Sequence, residues 1–119
     1  MLWGNGRIFN YSRSSSFEVK HASASAIGDL DGDGKSDLAL AVYQGQTTFV
    51  ADSVVFFGAT GRSFKRGTGG IRTSGATHVV IAPPRGKLPA RAVFTNSSGG
   101  TLDEKVPIYV YWGGRDGFD

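Results

Sequence analysis

The chain has 119 residues, a formal net charge of +3, eighteen glycines and no cysteine. That length serves one domain of ordinary size, and without cysteine there is neither a disulfide framework nor a thiolate metal site. The basic residues are scattered rather than gathered into a stripe with stacking aromatics, which argues against nucleic-acid binding, and no apolar run approaches the roughly eighteen residues of a membrane span.

Abundant glycine, 12% aromatic residues and no run of helix formers predict an all-β protein rich in turns. The chain opens on Met1-Leu2-Trp3-Gly4-Asn5-Gly6-Arg7-Ile8-Phe9, which has no charged region followed by an apolar one and is not expected to be a signal peptide. Ser16 to Ala22 is predicted as a strand or the outer edge of one, and Ser23 to Ile27, small and apolar, as a tight inner strand. Asp37 to Tyr43 and Ser53 to Phe57 follow as strands, and an outer strand begins near Arg62. In Leu38 to Tyr43 both alternating sets are apolar, so that strand is expected to be covered on both faces. Thr77 to Ala82, Arg91 to Thr95 and Ile108 to Trp112 are strands in the second half, with Pro107 suited to a strand start.

Between the first two strands lies Gly28-Asp29-Leu30-Asp31-Gly32-Asp33-Gly34-Lys35-Ser36-Asp37-Leu38. Carboxylates packed this densely repel one another unless a cation sits among them. Oxygen ligands from loop positions 1, 3, 5, 7 (as a backbone carbonyl) and 9 wrap a hard cation, with a glycine at 6 for the sharp turn. Those positions are Asp29, Asp31, Asp33, the carbonyl of Lys35, and Asp37, with Gly34 at the turn. Calcium (Ca2+), at one site, is the expected ion, since magnesium gives up its waters reluctantly. A plain solvated turn needs one Asp-Gly rather than four phased acids. An EF-hand does not fit, because Leu40 stands where its bidentate Glu belongs and no amphipathic helix follows.

One phrase occurs three times: Leu2-Trp3-Gly4 with Phe9, Phe56-Phe57-Gly58 with Phe64, and Tyr111-Trp112-Gly113 with Phe118. Trp3 and Phe57 are 54 residues apart, Phe57 and Trp112 55. A period of this size in a β-rich chain matches one four-stranded propeller blade. Residues 1–20 then read as the outer strand of a preceding or shared blade, 21–75 as a blade with the calcium loop, and 76–119 as a second, degenerate blade. At the same offset the aspartate loop becomes Pro83 to Arg91, with Arg85, Lys87 and Arg91 where Asp31, Asp33 and Asp37 stood. That loop cannot hold calcium. Its basic residues either make a metal unnecessary or are merely solvated, and the sequence leaves both open.

Asp29 to Ala39 together with Val54-Val55-Phe56-Phe57-Gly58 resembles the FG-GAP repeat, also called the VCBS-type repeat. The resemblance implies integrin-α-like propeller blades in which the aspartate loop holds calcium, and an extracellular or cell-surface setting. It implies a non-catalytic module for binding a protein or glycan, for adhesion or for scaffolding; the alternatives are a propeller segment of a larger secreted enzyme and a purely structural spacer. Candidate recognition loops are Gln44 to Thr48 and Asn96 to Thr101, with the turns at Trp3 and Trp112, although both tryptophans read more readily as blade core. His78, in the place of Ala24, reads as a packed strand position rather than a catalytic one, and no nucleophile with a base is recognisable. Two blades do not close a propeller. The missing blades are expected from a longer chain or from further copies of this one.

Overall fold

Short apolar runs between glycine and aspartate turns satisfy their backbone groups by pairing with one another. They do so as antiparallel sheets in a computed structural model that describes residues 1–4, 6, 9–45, 50–97 and 106–114. Strands β1 (Leu2–Gly4) and β2 (Phe9–Ser14) form a pair. The first blade-like sheet runs in the order β3 (Ala22–Gly28), β4 (Asp37–Val42), β5 (Val50–Gly58), β6 (Phe64–Arg66), and β7 (Ile71–Ser74) also pairs with β5. In the second sheet β9 (Arg91–Asn96) lies between β8 (Ala76–Ala82) and β10 (Tyr109–Trp112). The protein is therefore all-β, with sheets of the form propeller blades take.

The expected outer strand near Arg62 arrives as two pieces. β6 pairs with Phe56 to Gly58 and β7 with Val50 to Ser53, along the same edge of β5. Between them Gly67 to Gly70 bulge outward, pinned where the Gly67 N–H donates to the Val55 carbonyl at 2.8 Å. The strand anticipated over Ser16 to Ala22 is displaced to β2. Residues 15–19 carry no ladder, because Phe17 turns onto the sheet instead, its ring 4.8 Å from Phe56 and 5.2 Å from Phe64. Of the two candidate loops, residues 46–48 and 98–101 lie outside the described residues.

A buried hydroxyl network holds β5 where its pairing changes. The β4–β5 ladder ends at Leu40 opposite Val54. Beyond it the Val42 N–H donates to Ser53 Oγ at 3.0 Å, Ser53 Oγ lies 2.8 Å from Thr73 Oγ1, and Thr73 Oγ1 donates to the Ala51 carbonyl at 2.8 Å. Thr73 has one proton and gives it to Ala51, so Ser53 donates to Thr73 while accepting from Val42. Both hydroxyls are buried and fully partnered.

The core lies between the two sheets. Ala39, Ala41 and Val55 of the first, with Ile71, meet Val79, Ala92 and Phe94 of the second, and Leu30 and Ala90 from the loops complete the cluster. The small residues bring the sheets close: Ser23 Oγ, on β3, donates to the Ala76 carbonyl of β8 at 2.6 Å. Phe94, 0% exposed, is the largest side chain among the fully buried residues. Phe94→Ala is expected to cost about 3–5 kcal/mol through lost burial and an unfilled cavity, read as a lowered midpoint in chemical denaturation. A cost below about 1 kcal/mol would show that the two sheets do not share this core.

Candidate metal centre

The β3–β4 turn carries the acidic loop. Asp29 at its head organises the backbone: its Oδ1 accepts from the N–H groups of Gly32 (2.8 Å) and Asp33 (3.2 Å), and its Oδ2 from Gly34 (2.9 Å). Asp31 Oδ1 accepts from Asp33 N–H at 3.1 Å. Carboxylates that bond the amides just ahead of them form turns that mimic a backbone turn. The chain reverses between them through Gly32 and Gly34, at φ +77° and +84°, which glycine adopts without steric cost.

Asp37 differs from the others. It begins β4 and is 0% exposed. Its Oδ2 accepts from the Leu30 N–H at 2.6 Å and its Oδ1 from the Gly58 N–H at 2.8 Å. One carboxylate thus ties the head of the loop to the end of β5. Gly58 has to be glycine here, since a Cβ would run into the Ser36 carbonyl.

Asp29, Asp31 and Asp37 each offer a carboxylate oxygen, and these oxygens lie within 4.8 Å of one another. Asp33, the fourth aspartate of the predicted set, stands outside that group. Its Oδ2 pairs with Lys35 Nζ at 2.8 Å and its Oδ1 accepts from the Lys35 N–H, also at 2.8 Å. Lys35, predicted to contribute its carbonyl, is engaged with Asp33 through both its nitrogens.

The electrostatics follow the geometry. Burial pushes the Asp37 carboxyl above its ordinary value, against the pull of the Gly58, Leu30 and Asp31 N–H groups. Burial also raises Asp31, and the charges of Asp37, Asp33 and Asp29 add to the rise. Asp33 is lowered and Lys35 raised by their mutual hydrogen bond. Two carboxyls that resist ionisation beside a third are a site that gains from a cation.

The second sheet closes the same turn without carboxylates. Arg85 and Leu88 exchange two backbone hydrogen bonds of 3.0 Å around Gly86, at φ +59°. Gly113, the counterpart of Gly58, donates its N–H to the Ala90 carbonyl at 2.8 Å, where Gly58 used Asp37. Arg91, in the place of Asp37, lays its guanidinium 5.7 Å from the centre of the Trp112 ring. Backbone pairing, not carboxylates, closes this turn.

Sequence reasoning missed Leu30 and the two glycines that close the turns. Leu30 lies between two aspartates, yet its side chain is buried in the core between the sheets, and its carbonyl abuts Gly113. The repeated aromatic-glycine phrase was the signal for Gly58 and Gly113; nothing in the sequence marked their partners. His78, read as packed, is exposed, because the face of the second sheet that carries it has no neighbouring sheet among the described residues.

Asp37→Ala leaves the Leu30 and Gly58 N–H groups without their acceptor. The metal-free protein should lose roughly 2–5 kcal/mol, since each orphaned donor costs about 1–3 kcal/mol. Asp33→Ala, which removes an exposed pair, should leave the metal-free melting temperature unchanged. Equal effects of the two substitutions in thermal melts would refute the distinct role given to Asp37.

The FG-GAP repeat family model matches residues 21–56, the segment that spans β3, the acidic loop, β4 and most of β5. No curated protein matches the chain, and no solved structure does. The similarity to the FG-GAP repeat thus covers that segment, which contains the acidic loop.

Proposed function

We propose that this chain is a non-catalytic, calcium-stabilised β-propeller module that works outside the cell, binding a protein or glycan or acting as a scaffold. The observation that carries the reading is the convergence of the Asp29, Asp31 and Asp37 carboxylates in the β3–β4 turn of a segment matching the FG-GAP repeat. These three would hold the ion. Asp33 and the Lys35 carbonyl complete the set expected from the spacing, once Asp33 exchanges Lys35 for the metal. Bound calcium would supply the positive charge that offsets carboxylate repulsion, and so lock the end of β3 to the start of β4 and, through Asp37, to the end of β5.

The non-catalytic part of the reading is supported by the two histidines. His21 sits in a turn at φ +56° and is exposed. His78 Nδ1 lies 3.2 Å from Thr77 Oγ1 on an open sheet face, with no third group among the described residues to orient the pair as a nucleophile and base require. The extracellular setting is supported by the repeat family. Consistent with it, no helix among the described residues is long and apolar enough to cross a membrane.

Calorimetric titration should find one calcium per chain, with magnesium binding far more weakly. At a hundredfold excess over its Kd, calcium adds about 2.7 kcal/mol, roughly ten degrees in Tm for a domain of this size. Asp31→Ala should abolish both. The pH dependence separates the two states. In the metal-free protein the raised Asp31 and Asp37 carboxyls keep protons that the unfolded chain loses near 3.8. Their contribution is therefore full below pH 3.8 and fades as pH rises through the raised values. With calcium the sign reverses, because the metal needs the ionised carboxylates. Absence of a calcium-dependent melting shift in the native protein would sink the metal reading.

The recognition part is tested separately. Arrays of glycans and of extracellular proteins, probed in calcium and in chelator, should return a ligand only with calcium. Failure to bind anything on either array would favour a purely structural spacer.

A further inference from the structure

We infer that a second copy of this chain docks head to tail on the first, and that its β10 replaces β1 in the joint. The inference rests on reading the two sheets as blades. It starts from how those sheets meet. The first blade gives one face, Ala24, Ala26, Ala39, Ala41 and Val55, and the second receives it with the opposite face of its own repeat, Val79, Ile81, Ala92 and Phe94. Carried forward by the repeat, the giving face becomes His78, Val80, Val93, Thr95 and Val110 on the second blade. That face is open: Val80 is 61% and Val110 44% exposed, with Trp112 beside them at 38%. Carried backward, the receiving face becomes Ser25, Ile27, Leu38 and Leu40 on the first blade, which line a groove of about 480 Å³. Ile27 in that groove is 59% exposed. One molecule therefore carries an open giving face at one end and, at the other, a receiving face that Met1, Phe17 and Val19 cover in part. A contact between unlike faces of identical chains propagates head to tail and closes into a ring when its rotation allows.

Charge favours another copy as the occupant. Within the chain the acidic loop of the giving blade abuts the basic loop of the receiving blade: the Leu30 carbonyl touches Gly113, and Leu30 and Ala90 share one core. Between copies the order reverses, and Arg85, Lys87 and Arg91 of the incoming blade come beside Asp29, Asp31 and Asp33. That joint brings opposite charges together.

The docked blade would bring its third strand onto β1. The two are the same part of the repeat, Leu2-Trp3-Gly4 and Tyr111-Trp112-Gly113. β1 is the weaker holder of the place. It has three residues and meets β2 at Leu2 opposite Ser14 and Gly4 opposite Phe9, with an irregular register, helped by the Met1–Ser15 backbone bonds and by Trp3 Nε1 on Ser15 Oγ at 2.9 Å. β10 runs in register with β9 over four successive pairs. By exchanging β1 for β10 of the incoming copy, β2 becomes the outer strand of that copy's three described strands, and Trp112 takes over Ser15 from Trp3.

The test uses the 119-residue chain in calcium. Light scattering and sedimentation should give one discrete closed oligomer, of two to four copies if the ring has about four to eight blades. Val80→Asp with Val110→Asp, both on a face exposed in the single chain, should leave a folded monomer with an unchanged circular dichroism spectrum. A disulfide trap is independent of that pair. Within the chain Gly28 of the giving blade meets Ile81, whose Cβ lies 3.3 Å from the Cβ position of Gly28. The corresponding contact between copies joins Ala82 to Ile27. The chain has no cysteine of its own, so Ala82→Cys with Ile27→Cys should crosslink copies on oxidation into multimers of the same size. Deleting residues 1–4 should leave the assembly intact or strengthen it. A monomer at every concentration, an open-ended ladder, an oligomer that survives both aspartates, or dissociation on deleting β1 overturns the inference. A monomer that still binds calcium fails this inference alone and leaves the proposed function standing.

Discussion

The structure of the first sheet turns on one buried carboxylate. Asp37 has no exposed surface, and burying an ionised group is costly unless hydrogen bonds replace its water. Two backbone N–H groups do so here, from Leu30 at the head of the acidic loop and Gly58 at the end of β5. The same two bonds therefore offset part of that cost, close the loop and hold the ends of three strands together. Leu30 is then placed to reach the core between the sheets, so the polar centre and the apolar core share a residue.

Comparison of the two sheets shows what that carboxylate contributes. The second has the same turn, the same closing glycine and the same meeting of loop and third strand. There Gly113 bonds a backbone carbonyl, and a backbone-paired reversal at Gly86 and Lys87 stands where the first sheet has its carboxylate-bonded loop. A turn closed by its own backbone draws nothing from its side chains, and Arg85 and Lys87 are free to face solvent. The first turn, of the same length, is held by carboxylates instead. One architectural position is thus filled by two different chemistries, and the first gathers three carboxylates that could hold a metal ion.

The faces of the sheets follow from the strand period. Successive residues point to opposite sides, and β4, the second half of β5 and β10 are apolar on both. One side of each sheet meets the other sheet, while the outer sides end in exposed Ile27, Val80 and Val110. The N-terminal segment covers part of one outer side through Phe17 on Phe56 and Phe64. Surfaces of this kind on an antiparallel sheet are the mark of stacked blades.

Much of this was legible in the amino-acid sequence. Phased aspartates located the loop, two-sided apolar runs located β4, the end of β5 and β10, and the recurring aromatic-glycine phrase set the repeat that placed β8. These are local signals, carried by residues near one another in the chain. The strand expected at Ser16 to Ala22 was not local in this sense: whether Phe17 pairs along a ladder or turns onto a sheet depends on Phe56 and Phe64, about forty residues or more away. The split of the outer strand into β6 and β7 likewise depends on the buried hydroxyls of Ser53 and Thr73 across the sheet. Within the loop, spacing treated the four aspartates as equals. Only the tertiary structure separated them, because burial against β5 and the core falls on Asp37 alone, while Asp33 reaches solvent and the ammonium of Lys35. Sequence by itself determined which residues could gather round a cation. The packing of one sheet against the next decided which carboxylate carries the fold.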